Sequence, residues 1–206
     1  FDMKSIKAGE VILVIGRRAC GKTFLVKDFL WHKRRIPDGI LLSESEASSS
    51  QWSSIIPPLF IHDGDDLDVV GKVIQRQKMK SRKGTMQETF IILEDMAAAK
   101  NRINKSEAFG RVFRNGRHSL LTVVFVAQYL KDIGPDLRQQ ARLVFLFTDT
   151  SPLNQKKLYE EFGGSFVNFK AFSDALLYYG KDKGCLVINR TTDSDKIEDC
   201  VQWYRA

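Results

Sequence analysis

The run Gly16-Arg17-Arg18-Ala19-Cys20-Gly21-Lys22-Thr23 satisfies the pattern G-x-x-x-x-G-K-[ST] in full, and each fixed residue type suits a phosphate chain. Glycine at 16 and 21 removes side chains where a backbone must bend closely round an anion, so that successive N–H groups converge on it. Lys22 supplies an ammonium able to reach β- and γ-phosphates, and Thr23 a hydroxyl suited to Mg²⁺. Residues 16–23 are therefore the candidate nucleotide-binding residues. Cys20 reads as a small loop residue rather than a nucleophile.

Phosphoryl hydrolysis also needs an acid near the metal and a polar group near the attacking water. Glu94-Asp95 follows the apolar run Phe90 to Leu93. Many such enzymes place Asp before Glu, and here the order is reversed. Glu94 is the candidate for the Mg²⁺ shell through water and Asp95 for polarising the attacking water, with shared or exchanged roles left open. Gln128 ends a second apolar run, Leu120–Ala127, with an uncharged amide that could sense phosphate, orient water or simply bond to a neighbouring strand. Arg114 and Arg117 lie between the acids and Gln128. Either could neutralise transition-state oxygens, including those of an adjacent subunit, or serve as a surface ion pair or helix-end charge. His118 reads as a hydrogen-bonding or packing residue. The spacing of His32, His62 and His118 does not support a zinc site.

The elements that would carry these residues alternate. Val11–Ile15 predicts a buried strand running through the glycine loop into a helix over Lys22–Lys33. Ile40–Leu42 predicts a second strand, followed by an irregular Ser-rich segment over Ser43–Ser54 and a break at Pro57-Pro58. A helix over Asp65–Lys80, a strand over Thr89–Leu93, a helix from Ser106, a strand over Leu120–Ala127, a short helix around Asp136–Gln140 and a strand over Leu143–Phe147 follow. Helices are expected over Lys156–Phe162 and Phe169–Tyr179, and an edge strand over Cys185–Asn189. Residues 190–206 show no assignable pattern. This is an α/β class with a mostly parallel sheet flanked by helices, in which ligands bind beyond the carboxyl ends of the strands. The expected organisation is one domain over 1–206, with a catalytic core over 1–148 and residues 149–206 as its extension.

Composition agrees with a compact enzyme. The chain has 206 residues, 43% of them hydrophobic, and 32 Lys and Arg against 25 Asp and Glu give a net charge of +7. No apolar run approaches the roughly 20 residues that span a bilayer. Three cysteines are too few and too scattered for a disulfide framework, which favours a reducing compartment. Lys72, Arg76, Lys78, Lys80, Arg82 and Lys83 form a basic stretch without acids, able to contact a nucleic-acid backbone or only water. Lys33-Arg34-Arg35 is a second such patch. Trp31, Trp52 and Trp203 form no aromatic ladder and read as core or local packing.

Taken in order, the loop at 16–23, the strand ending at Glu94-Asp95, the Arg114–His118 segment and the strand ending at Gln128 resemble the FtsK/HerA-like genome-packaging ATPases of double-stranded DNA viruses. The resemblance covers about Glu10 to Thr148. It implies a RecA/FtsK/HerA-like P-loop fold, ATP with Mg²⁺, hydrolysis supported by Lys22, Thr23, Glu94, Asp95 and Gln128, and an Arg114 or Arg117 that completes a neighbour's site. It further implies a ring of five or six subunits that drives double-stranded DNA into a capsid, with a capsid or portal-vertex protein as a further partner. The implied setting is the virion or the infected-cell cytoplasm. Two alternatives stand beside it: a P-loop kinase acting on a small acceptor, and a nucleotide-binding assembly protein without efficient hydrolysis. No Asn-Lys-x-Asp guanine-reading motif follows the loop, which sets a small GTPase aside.

Overall fold

A computed structural model describes residues 1–44, 51–64, 66–194 and 196–206. Half of the Ser-rich segment, at 45–50, and Asp65 at the expected start of the second helix lie outside the described residues. The strands are β1 (Val11–Ile15), β2 (Asp38–Ser43), β3 (Ile61–Asp63), β4 (Thr89–Glu94), β5 (Leu121–Ala127), β6 (Leu143–Phe147), β7 (Gly184–Asn189) and β8 (Val201–Arg205). They form one sheet in the order β3-β2-β4-β5-β1-β6-β7-β8. The pairings from β3 through β6 are parallel, while β7 and β8 are added antiparallel.

Helices cover both faces, which explains why the central strands read as unbroken apolar runs. Alternate residues of one strand enter opposite cores. Val11, Leu13 and Ile15 of β1 face one cluster, and Ile12 and Val14 the other. Helix α1 (Lys22–His32) covers the second face with Leu25, Val26, Phe29 and Leu30, joined there by Trp52 and Ile56. The first face carries α2 (Asp68–Arg82), α3 (Lys100–Lys105), α4 (Glu107–Asn115), α5 (Pro135–Gln140), α6 (Pro152–Phe162) and α7 (Phe169–Tyr179). A one-turn helix, α8 (Ile197–Cys200), precedes β8. Among the described residues no helix is long and apolar enough to cross a membrane.

Several boundaries differ from the pattern, each for a local reason. Helix α6 begins at Pro152, four residues before the expected Lys156, because the Ser151 hydroxyl accepts from the Asn154 N–H and proline suits the first helical turn. Helix α2 begins at Asp68 and runs to Arg82. Leu120 takes φ +48°, so β5 starts one residue later. The strand at 184–189 is not an edge, since β8 pairs along its outer side. β8 escapes a sequence reading because it is only half covered: Tyr204 packs toward α1, where its hydroxyl donates to Asp28, while Trp203 stacks on Tyr179 of α7 at 6.0 Å.

Candidate nucleotide site

The glycine loop connects β1 to α1 at the carboxyl edge of the sheet. Gly21 takes φ +114°, which a residue with a Cβ rarely adopts, and ends the loop as the N-cap of α1. Gly16 has no room for a side chain: a Cβ there would lie 2.6 Å from Cys20 Sγ and 2.6 Å from Phe147 Cβ. The Lys22 ammonium folds back on the loop, donating to the Gly16 carbonyl at 2.6 Å and the Arg17 carbonyl at 2.9 Å. Arg17 and Arg18 are exposed. Burial raises the Cys20 thiol above its ordinary range despite the Lys22 charge, so the group is held away from the nucleophilic thiolate form.

Strand alternation brings the first acid to this loop. Ile92 points to the α1 face, so Glu94, two residues on, points there too. It meets Thr23, whose hydroxyl donates to Glu94 Oε1 at 3.1 Å across 71 residues of chain. The Trp52 indole N–H donates to the other carboxylate oxygen. Glu94 is 3% exposed. Burial raises its carboxyl above the ordinary carboxylate range. The Trp52 and Thr23 hydrogen bonds oppose that rise, the Asp95 charge adds to it, and Lys22 lowers it.

Asp95 lies just past the strand. It takes φ +54°, an uncommon conformation for a non-glycine residue. Gln128, just past β5, donates from its amide to Asp95 Oδ1 at 3.4 Å. Asp95 and Gln128 line a cleft of about 450 Å³ together with Arg18 and Tyr129. Gln128 also borders a cavity of about 160 Å³ that reaches Gly16, Phe147 and Asp149. Lys22, Thr23, Glu94, Asp95 and Gln128 are thus assembled along one edge.

The arginines are elsewhere. Arg117 sits in the turn before β5 and approaches Glu10, the residue before β1, at 3.9 Å. Five residues of β1 separate Glu10 from Gly16, about 17 Å of strand, so Arg117 cannot reach the phosphate loop of its own chain. Arg114 borders a separate cavity of about 220 Å³ with Asp136 and Gln140. Of the basic stretch on α2, Arg76 donates to Asp38 Oδ1 at 2.8 Å and Lys80 donates to its other oxygen. Burial by itself would raise the Asp38 carboxyl, but these two cations hold it below its ordinary value. Lys72, Lys78, Arg82 and Lys83 stay exposed. In the second patch, Lys33 donates to the Ile6 carbonyl and Arg34 lies over Trp31 at 4.8 Å.

Trp52 is the site residue that sequence reasoning did not single out. It reads as packing, and it is fully buried, but its N–H is spent on Glu94. The one available signal was general: a buried indole needs an acceptor.

The site admits Mg²⁺ with limits. Among the described residues no group of three or more His, Cys, Asp or Glu is arranged to hold a metal ion. The Thr23 hydroxyl and the buried Glu94 carboxylate are the oxygens on offer, which suits a cation whose other ligands are phosphate and water.

No family model matches the chain. It is 32% identical over 197 residues to the uncharacterized protein 075L of Invertebrate iridescent virus 6, over 95% of this chain and 74% of that protein. Among solved structures it is similar to B204, the DNA-packaging ATPase from Sulfolobus Turreted Icosahedral Virus, with a TM-score of 0.70 and 16% identity over 97% of this chain and 98% of that one. It is also similar to the genome packaging NTPase B204 from Sulfolobus turreted icosahedral virus 2 in complex with AMPPCP, with a TM-score of 0.66 and 17% identity over 95% and 97% of the two chains. These likenesses bear out the expected α/β fold, a mostly parallel sheet flanked by helices as in the B204 packaging NTPases.

Proposed function

Because the chain belongs to the family of large-DNA-virus proteins that includes 075L of Invertebrate iridescent virus 6, and has the fold of a viral packaging NTPase, we propose that it is a Mg²⁺-dependent ATP hydrolase. Its work is to drive double-stranded viral DNA into a capsid as an oligomeric ring, in the virion or the infected cell. The observation that carries this reading is the meeting of Thr23 and Glu94 at 3.1 Å beside Lys22. A phosphate cradle alone fits any nucleotide-binding protein. A buried acid aimed at the Thr of that cradle fits one that handles metal-bound phosphates.

In this mechanism the loop N–H groups from Arg17 to Thr23 bind the phosphates, that of Gly16 being bonded to the Ala127 carbonyl, and Lys22 turns from the Gly16 and Arg17 carbonyls toward the β- and γ-oxygens. Thr23 and Glu94 would hold Mg²⁺, which when bound would neutralise charge on the phosphate oxygens. Asp95 orients a water and accepts its proton as the water oxygen bonds to the γ-phosphorus and the bond to the β-phosphate oxygen breaks. Gln128, bonded to Asp95, fixes that carboxylate and registers whether the γ-phosphate is present. Arg117, too far from its own loop, serves the neighbouring subunit's phosphates, with Arg114 as the second candidate. The exposed Lys72, Lys78, Arg82 and Lys83 meet the DNA backbone without reading bases.

The test is ATP turnover with and without double-stranded DNA, for the parent and Lys22→Ala. Turnover stimulated by DNA in the parent and lost in Lys22→Ala is expected. Absence of turnover in every assembled form would defeat the enzyme reading.

A further inference from the structure

The last free N–H of the phosphate cradle belongs to Phe24. Lys22, Thr23 and Phe24 are the first three residues of α1, and the first N–H bonded within the helix is that of Leu25, to the Gly21 carbonyl at 3.0 Å. A nucleotide that lies along 16–23 with its terminal phosphates at Lys22 and Thr23 therefore leaves the cradle beside Phe24. Sugar and base must pass over that side chain.

Two observations mark this spot. First, Phe24 is 63% exposed, although the helix it belongs to buries Leu25, Val26, Phe29 and Leu30. Second, the turn between α7 and β7 is brought down upon it. A Cβ on Gly21 would lie 3.1 Å from Lys183 Cβ, and the Lys183 ammonium stands 4.9 Å from the centre of the Phe24 ring. That turn holds two successive non-glycine residues in the left-handed region, Asp182 at φ +50° and Lys183 at φ +62°. Side chains with a Cβ rarely sit there, and such outliers gather at ligand clamps. The turn is also fixed from below: a Cβ on Gly184 would meet the Tyr179 carbonyl at 2.2 Å, and one on Gly180 would meet Thr148. The fold thus accepts unfavourable backbone to hold a lysine over an exposed aromatic ring at the exit of the phosphate cradle.

We propose that Phe24 and Lys183 form the sugar-and-base side of the nucleotide site. The base stacks on the Phe24 ring, and the Lys183 ammonium, moved off that ring, pairs with the phosphate nearest the sugar. This rests on the reading of 16–23 as a nucleotide cradle and adds the wall that reading lacks. A flat aromatic face holds any base through its π-surface, which accounts for a site with no edge-reading motif in the sequence. The cation serves the sugar-side phosphate in the same way that Lys22 serves the other end.

The experiment is calorimetric titration of ATP, AMP and inorganic tripolyphosphate, each with Mg²⁺, into the full chain and its Phe24→Leu, Phe24→Tyr, Lys183→Gln and Lys22→Ala variants. Both positions are exposed, so the substitutions leave the core untouched. Phe24→Leu should weaken ATP and AMP about tenfold, the scale of one base–aromatic stack, and leave tripolyphosphate unchanged. Phe24→Tyr should bind as the parent does. Lys183→Gln should weaken AMP several-fold and flatten the salt dependence of its binding. Equal binding of ATP and AMP by parent, Phe24→Leu and Lys183→Gln would overturn the proposal, as would equal losses of ATP and tripolyphosphate in Phe24→Leu. If Lys22→Ala alone loses ATP, the cradle stands and only this wall falls. If the parent binds neither ATP nor tripolyphosphate, both readings fall together.

Discussion

Trp52→Phe separates the charge on Glu94 from the packing around it. Trp52 is fully buried and donates its indole N–H to Glu94, while Thr23 donates to the other carboxylate oxygen. Phenylalanine fills most of the space but has nothing to donate. Two costs follow. The smaller ring leaves a gap worth on the order of 1–2 kcal/mol, whatever the pH. The lost hydrogen bond costs about 1.5–3 kcal/mol when Glu94 is ionised and about 0.5–1.5 when it is neutral. Burial already raises the Glu94 carboxyl in the folded protein, so the folded state binds that proton more tightly than the unfolded chain does. Through this group, stability is greatest below about pH 4.5 and falls as pH rises through the folded value. Removing the indole raises the folded value further and deepens that fall. Urea denaturation should therefore show a destabilisation of about 2–3 kcal/mol at pH 4 and at least about 1 kcal/mol more at pH 8. The acid limb of ATP turnover should move to higher pH in parallel. A destabilisation equal at both pH values, with an unmoved acid limb, would refute the claim that Trp52 holds an ionised Glu94.

Glu94→Gln should raise the urea midpoint at pH 8, because it removes a buried charge while keeping an acceptor for Trp52, and should lower turnover roughly a hundredfold or more. A variant less stable than the parent at pH 8 would mean that the Glu94 charge is paid for inside the fold rather than held for a cation. Mixing Lys22→Ala with Arg117→Ala subunits should restore part of the turnover that each loses alone, since some interfaces then join an intact loop to an intact arginine. No recovery in mixed assemblies would count against Arg117 as the group that crosses between subunits.

Five of the six parallel strands were legible because burial on both faces writes continuous apolar runs, and three of those runs end beside residues that the proposed chemistry uses. Glu94 and Gln128 were found in this way, by the position of a strand end rather than by any metal-ligand spacing. The site's other parts left weaker traces. Trp52 lies within the Ser-rich segment and meets Glu94 from a different stretch of chain, so its role depends on a tertiary contact that no local period encodes. The basic stretch on α2 looked uniform in sequence, yet Asp38, some forty residues earlier, takes up Arg76 and Lys80 and divides it into a structural pair and an exposed remainder.

The same limit explains why the chain beyond β6 could be read as elements but not as part of the site. β7 is antiparallel to β6, so its start, not its end, lies beside the phosphate loop. In a parallel sheet the residues worth testing are those after each strand. An antiparallel addition reverses that rule and brings the turn before the strand to the ligand edge. Lys183 stands in such a turn, one residue ahead of Gly184, with no motif to announce it. The reversal of one strand therefore lets the segment beyond the motif-bearing core contribute to the site that the core begins.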